Sequence, residues 1–125
     1  MNGQNYRDLV AWQKAMDLVV DIYRATEQWP DHEQYALTSQ VHPAAISIPA
    51  NIAEGQGRAS AKEFLHYLSI AHGSLREVET YVLLGERLDY LDSAESSTLM
   101  AHAAEVGRLL NGLRKHLRAS IASPA

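Results

Sequence analysis

Apolar side chains recur at alternating steps of three and four residues in four stretches of this 125-residue chain, a period that helices can hide and strands cannot. In the first stretch Leu9, Trp12, Met16, Val19 and Tyr23 share one face, which Leu18 and Ile22 widen. Trp29-Pro30 closes it, because proline holds the preceding residue in extended geometry. A helix is predicted over about 6–28. The second, over about 31–54, has Asp31 and Gln34 in capping-box spacing, then Val41, Ala45, Ile48 and Ile52, with Gly55 suited to the left-handed position that ends a helix. Pro43 and Pro49 fall inside it, so a kink is expected there. The third, over about 60–88, opens on the capping box Ser60-Ala61-Lys62-Glu63 and carries Phe64, Leu68, Ala71, Leu75, Val78 and Val82. Its second stripe of Tyr67, Ile70, Tyr81 and Leu84 calls for cover from neighbouring helices or another subunit. The fourth, over about 93–119, starts near Asp92 or Ser93 with Glu95 in its first turn. It repeats the pattern with Leu99, Ala103, Val106, Leu110, Leu113 and Leu117, and Ser120 to Ala125 is expected to fray.

Short connectors between helices of similar length force neighbours to run antiparallel, and the three-and-four spacing favours crossing angles of about 20°. The expectation is an all-α, single-domain, up-down-up-down four-helix bundle over 1–125. Hydrophobic residues make up 46% of the chain, enough for a core without staples. There is no cysteine, which excludes disulfides, zinc–thiolate sites and thiol catalysis. Met1 to Asn5 lacks the blocks of a signal peptide, and no apolar run approaches the ~20 residues that cross a bilayer. A cytoplasmic protein with no membrane contact is expected. Net charge is −4, from 11 basic and 15 acidic residues, which disfavours non-specific attraction to nucleic acid.

Bundles often hold di-iron centres built from paired Glu-x-x-His motifs, but Glu63-Phe64-Leu65-His66 is a single copy at a helix end. His32, His42, His72, His102 and His116 show no metal spacing, and Gly55-Gln56-Gly57 follows no strand, so neither a metal nor a phosphate loop is read from them. No catalytic residue, cofactor or small-molecule substrate is expected. Two polar lines are more informative. Gln40, Ser47, Asn51 and Glu54 share one face of the second helix, while Gly73, Ser74, Glu77 and Thr80, with Glu79 nearby, interrupt the third. Their meeting in a hydrogen-bonded seam, within the bundle or between subunits, is the sharp reading; a solvated face is the bland one. Gly73 is assigned to close approach of another helix. Arg108, Arg114, Lys115 and Arg118, with His116 among them, complement a helix C-terminus, and with Arg58 they form the candidate patch for phosphates.

The run Ser47-Ile48-Pro49-Ala50-Asn51-Ile52-Ala53-Glu54-Gly55, followed by Gly57-Arg58, resembles the signature of the four helix bundle protein family, also called 23S rRNA intervening-sequence proteins. Glu63-Phe64, Ile70-Ala71-His72-Gly73-Ser74-Leu75 and Glu77-Val78-Glu79-Thr80 are similar to its second block. Trp12-Gln13-Lys14-Ala15 and Tyr35-Ala36-Leu37-Thr38-Ser39-Gln40 resemble flanking pieces. The resemblance implies a left-handed four-helix bundle that assembles as a ring-shaped homopentamer, without enzymatic activity. It also implies kinship with the nucleic-acid-binding accessory protein of diversity-generating retroelements, which partners a reverse transcriptase. Where the family usually carries basic residues after Gln40, this chain has Val41-His42-Pro43. The partners so implied are further copies of the chain and RNA or a nucleic-acid-bound protein; the alternative is a protein–protein assembly module that touches no nucleic acid.

Overall fold

Four α-helices account for most of residues 5–122, which the computed structural model describes: α1 (Val10–Thr26), α2 (Leu37–Gln56), α3 (Ala61–Arg87) and α4 (Ser93–Ala122). Each packs against the next and α1 closes on α4, so the helices form a ring around one shared core, with α2–α3 the most extensive pairing. The contacts run in opposite numerical order: Gln40 meets Tyr81, Ser47 meets Ser74 and Arg58 meets Tyr67. The core is the expected aliphatic one. Val41, Ala45, Ile48 and Ile52 of α2 and Leu68, Ala71, Leu75 and Val78 of α3 are sealed from solvent, as are Val106 and Leu110 of α4. Each large side chain so buried stabilises the fold by about 1.5–3 kcal/mol.

Several boundaries differ from expectation, each for a local reason. Tyr6–Asp8 is a separate 3-10 turn, capped when Asn5 accepts from the Arg7 amide (2.9 Å) and donates its own amide to Asp8 (3.3 Å). Leu9 is then extended and buried, so α1 starts at Val10 rather than Tyr6. Its buried line is Ala11, Ala15, Leu18, Ile22 and Thr26, whereas Met16 and Tyr23, assigned to the core face, lie at the rim, each 40% exposed. Leu18 and Ile22, which widened the expected stripe, are its large buried side chains. The Asp31–Gln34 capping box does not form. Asp31–Glu33 is a 3-10 turn, and α2 starts six residues later at Leu37, whose amide donates to Glu33 Oε1 at 3.2 Å. Helix α2 runs through Pro43 and Pro49 to Gln56. At the far end α4 stays helical through Ala122, so Ser120, Ile121 and Ala122 are not frayed; the rest of that tail lies outside the described residues.

Gly55 does not end α2 in a left-handed conformation; it is buried inside the helix. A Cβ there would stand 2.7 Å from the Tyr67 Cβ and 2.9 Å from a Phe64 ring carbon, so the missing side chain is what lets α3 cross closely. Gly85 does the same for Trp29, whose ring would lie 2.8 Å from an added Cβ. The residue that takes positive φ is Asp89 (63°), at the end of α3. Its amide donates to Glu86 O and that of Tyr90 to Gly85 O, the bond pattern of a Schellman motif with aspartate in the glycine position. Ser60 caps α3 by accepting from the Glu63 amide (3.1 Å). At the start of α4 a reciprocal box forms, with Asp92 and Glu95 taking each other's amides at 2.7 and 3.0 Å.

Candidate functional site

The α2–α3 pairing holds part of the expected polar seam. Ser47 Oγ and the buried Ser74 Oγ are 2.8 Å apart across the helices. Asn51 Nδ2 donates to Ser47 Oγ (2.9 Å) and to the Ser47 carbonyl (2.8 Å), so one hydroxyl pair and one amide satisfy one another. Two turns toward the start of α2, Tyr81 donates to Gln40 Oε1 at 3.4 Å. At the other end Glu54 accepts from Arg58 (2.8 Å), whose guanidinium also donates to the Tyr67 hydroxyl (2.7 Å) and lies 4.9 Å from its ring centre. Three residues stand apart from the seam. Thr80 bonds back to the Arg76 carbonyl of its own helix (2.8 Å), Glu77 is exposed, and nothing lies within 4 Å of a Cβ added to Gly73. Within this chain no helix closes on Gly73, as it does on Gly55.

The basic residues divide into two places. Arg58 lines a cavity of about 260 Å³ with Gln56, Ser60, His116 and Ser120, between the α2–α3 turn and the end of α4. Arg108, Arg114, Lys115 and Arg118 lie on the outer and α3-facing sides of α4. His116, two residues past Arg114, points about 200° away. From Val106 to Ala122 the helix has no carboxylate, and among the described residues Arg108, Lys115 and Arg118 make no ion pair. Across the groove α3 contributes Arg76 and His72. Arg76 is paired to Glu79, and with Arg108 and Asn111 these two line a cavity of about 240 Å³. Burial, then the positive fields of Arg114 and Arg76, push the His72 pKa below its usual value, against a weaker pull from Glu79. Arg114 donates to Asn111 (3.3 Å), and its Nε is buried without a partner.

Other polar groups have structural duties. His42 stacks on Tyr23 with ring centres 3.9 Å apart, and its Nε2 is 2.8 Å from Thr26 Oγ1, which also lies 2.9 Å from the Ile22 carbonyl. Burial lowers the His42 pKa, so the neutral ring is an α1–α2 packing element rather than part of a basic surface. Glu63 and His66 do not form a metal site: the serine cap holds Glu63, and His66 packs edge-on against Tyr67. Among the described residues no cluster of three or more metal-ligating side chains occurs, and no helix is long and apolar enough to cross a membrane.

Residues 7–112 match the family model described as "23S rRNA-intervening sequence protein". The chain belongs to that family. Among solved structures, a protein of unknown function from the S23 ribosomal protein family of Bacteroides thetaiotaomicron aligns with a TM-score of 0.76 at 24% identity. The alignment covers 85% of this chain and 99% of that one, and at such identity it shows a shared fold. No curated protein matches the sequence. The family match includes the Ser47–Asn51–Ser74 seam and stops short of Arg114, Lys115 and Arg118, so the basic end of α4 lies beyond the matched segment. Sequence reasoning did not place Arg76 and His72 on a basic face, because Glu77 and Glu79 mask Arg76 and His72 was weighed only for metal spacing. The spacing 72, 76, 79, 83 puts them on the α4-facing side of α3 and was a usable signal.

Proposed function

We propose that this family member is a non-enzymatic, homo-oligomeric helical scaffold of the cytoplasm that binds RNA or an RNA-bound protein. The observation that carries the RNA reading is the acid-free stretch of α4, where Arg108, Lys115 and Arg118 stand exposed and, among the described residues, make no ion pair. Cations left free of carboxylates can displace the counterions of a phosphate backbone. The family's description, 23S rRNA-intervening sequence protein, fits that reading without specifying a ligand.

Assembly is supported by apolar surface on two different helices. Met16, Val20 and Tyr23 form an exposed stripe on α1, while α3 exposes Ile70 near the open Gly73 and, about four turns further on, Leu84 and Leu88. Two unlike faces on one chain favour head-to-tail contacts, which close into a ring when the rotation between copies allows it, the homopentamer being the ring the resemblance implies. Light scattering tests the assembly, and a monomer at micromolar concentration refutes it. Gel shifts with structured RNA at increasing salt test the binding, whose affinity should fall steeply as salt rises. The alternative, a protein–protein assembly module without nucleic-acid contact, draws on the net charge of −4 and predicts no shift at any salt concentration.

A further inference from the structure

The basic groove between α3 and α4 carries information about the form of nucleic acid it suits. Arg108 and Arg118 are ten residues apart on one rigid helix, about 15 Å along its axis. Single-strand binders add aromatic side chains to such a track, because base stacking supplies much of their affinity. Here that element is missing. Helix α4 has no Phe, Trp or Tyr at all, and the face of α3 across from it presents Leu65, His72, Arg76, Glu79 and Leu83. The chain's nine aromatic residues lie elsewhere: Phe64 and Trp29 in the core, Tyr67 against Arg58, Tyr81 beside Gln40, Tyr90 beside Glu33, Tyr23 on His42, and Tyr6 with Trp12, leaving Tyr35 in the turn before α2.

Charge leads to the same place. The chain as a whole is negative, so its local cluster must outweigh a repulsive background. A double helix places one phosphate per ~1.7 Å of axis, about twice the density along one of its strands, and rewards a short row of fixed cations accordingly. Double-helical RNA is also recognised largely through its phosphates and shape, which requires no insertion between bases.

We infer that the ligand of the α3–α4 face is double-helical RNA, held through its phosphates by Arg108, Arg114, Lys115 and Arg118 without base stacking. This inference rests on the RNA reading above and narrows it. The test compares a duplex of about 20 base pairs, a little longer than a double-stranded-RNA module spans, with its two separated strands, using the full chain in gel shifts over a salt series. The duplex is expected to bind at least roughly tenfold more tightly than either strand. Replacing Arg108→Gln and Arg118→Gln together should reduce the salt slope by about two, while leaving oligomer size and thermal unfolding unchanged. If the separated strands bind as tightly as the duplex, the inference falls and RNA binding stands. If neither binds at the lowest salt, RNA binding falls with it. If the double variant binds the duplex with an unaltered slope, the face has been misassigned.

Discussion

The pairing of α2 with α3 and the closure of α1 on α4 solve the same packing problem by opposite means. At α2–α3 a glycine removes the one side chain that would hold the helices apart, and a serine pair with an asparagine satisfies the polar groups trapped between them. At α1–α4 the bridging groups are a surface ion pair, Lys14–Glu105 at 3.8 Å, and a surface hydrogen bond between His102 and Asp21. Beside them lies a surface cavity of about 360 Å³ lined by Ala25, Thr98 and Leu99. The lesson concerns tolerance. A contact made by backbone proximity and buried hydrogen bonds permits few substitutions, whereas one made by flexible ends over a cavity permits many. The first pairing can hold a fixed surface for assembly, and the second can absorb sequence change.

The largest effect should come from filling Gly55. In Gly55→Ala the new methyl meets the Tyr67 Cβ at 2.7 Å and the Phe64 carbonyl at 3.3 Å, neither of which is a flexible side-chain end. A loss of about 2–3 kcal/mol is expected in urea unfolding, since overpacking outweighs the helix-propensity gain of alanine. A variant as stable as the parent would show that the α2–α3 crossing is loose. Next come Ser47→Leu and Asn51→Leu. Each removes one member of the seam and places bulk between helices, and a cost of about 1–3 kcal/mol is expected. Unchanged melting and oligomer size in both would remove the seam from the account. The opposite sign is expected for Gly112→Ala on α4, where nothing lies within 4 Å of the added Cβ: a gain of up to about 1 kcal/mol. The same gain applies to Gly73→Ala in an isolated chain, so a Gly73→Ala protein that loses its oligomer while its monomer melts higher would locate the subunit contact.

How much of this was legible beforehand depends on whether one strand of sequence carried the cause. The buried lines of α2, α3 and α4 could be read because Val41-to-Ile52, Phe64-to-Val82 and Leu99-to-Leu117 repeat one period on strongly apolar residues. The line of α1 was legible only in part: Leu18 and Ile22 stood out as apolar, but Ala11, Ala15 and Thr26 carry little signal beside Met16 and Tyr23, which sit on the rim; only the neighbours decide which face wins. Gly55 was misread for a similar reason. A glycine near a helix end fits both a cap and a crossing, and the side chains that settle the matter, Phe64 and Tyr67, lie on the next helix. The seam was half legible. Polar residues at helical spacing showed a shared face, but the pairing of Ser47 with Ser74, 27 residues away, comes from register, while Glu77 and Thr80 share the local pattern without reaching it.

On the α1–α4 side, breaking the surface pair with Asp21→Asn should cost no more than about 0.5 kcal/mol, because both partners are solvated. A larger loss would mean that the closure depends on that pair and that the contrast between the pairings is false.

The smallest difference should appear only in acid, at the end of the bundle where the turn before α2 meets the turn before α4. Glu33 accepts from the Tyr90 hydroxyl at 2.7 Å and from the Leu37 amide at 3.2 Å, so one carboxylate both caps α2 and ties it to the α3–α4 connection. These bonds, the tyrosine's first, hold the Glu33 pKa below its ordinary value. The sign follows from linkage. A group whose pKa is depressed by folding contributes stability above its unfolded pKa of about 4.3, and that contribution is lost as pH falls through the folded value. Urea midpoints measured from neutral pH downward should therefore drop more steeply below about pH 4 in the parent than in Glu33→Gln, which keeps an amide oxygen but has no proton to take up. Identical acid limbs would mean that the Tyr90 bond does not survive in solution. The end of the bundle would then be held by apolar packing, with Trp29 and Leu91 on Gly85.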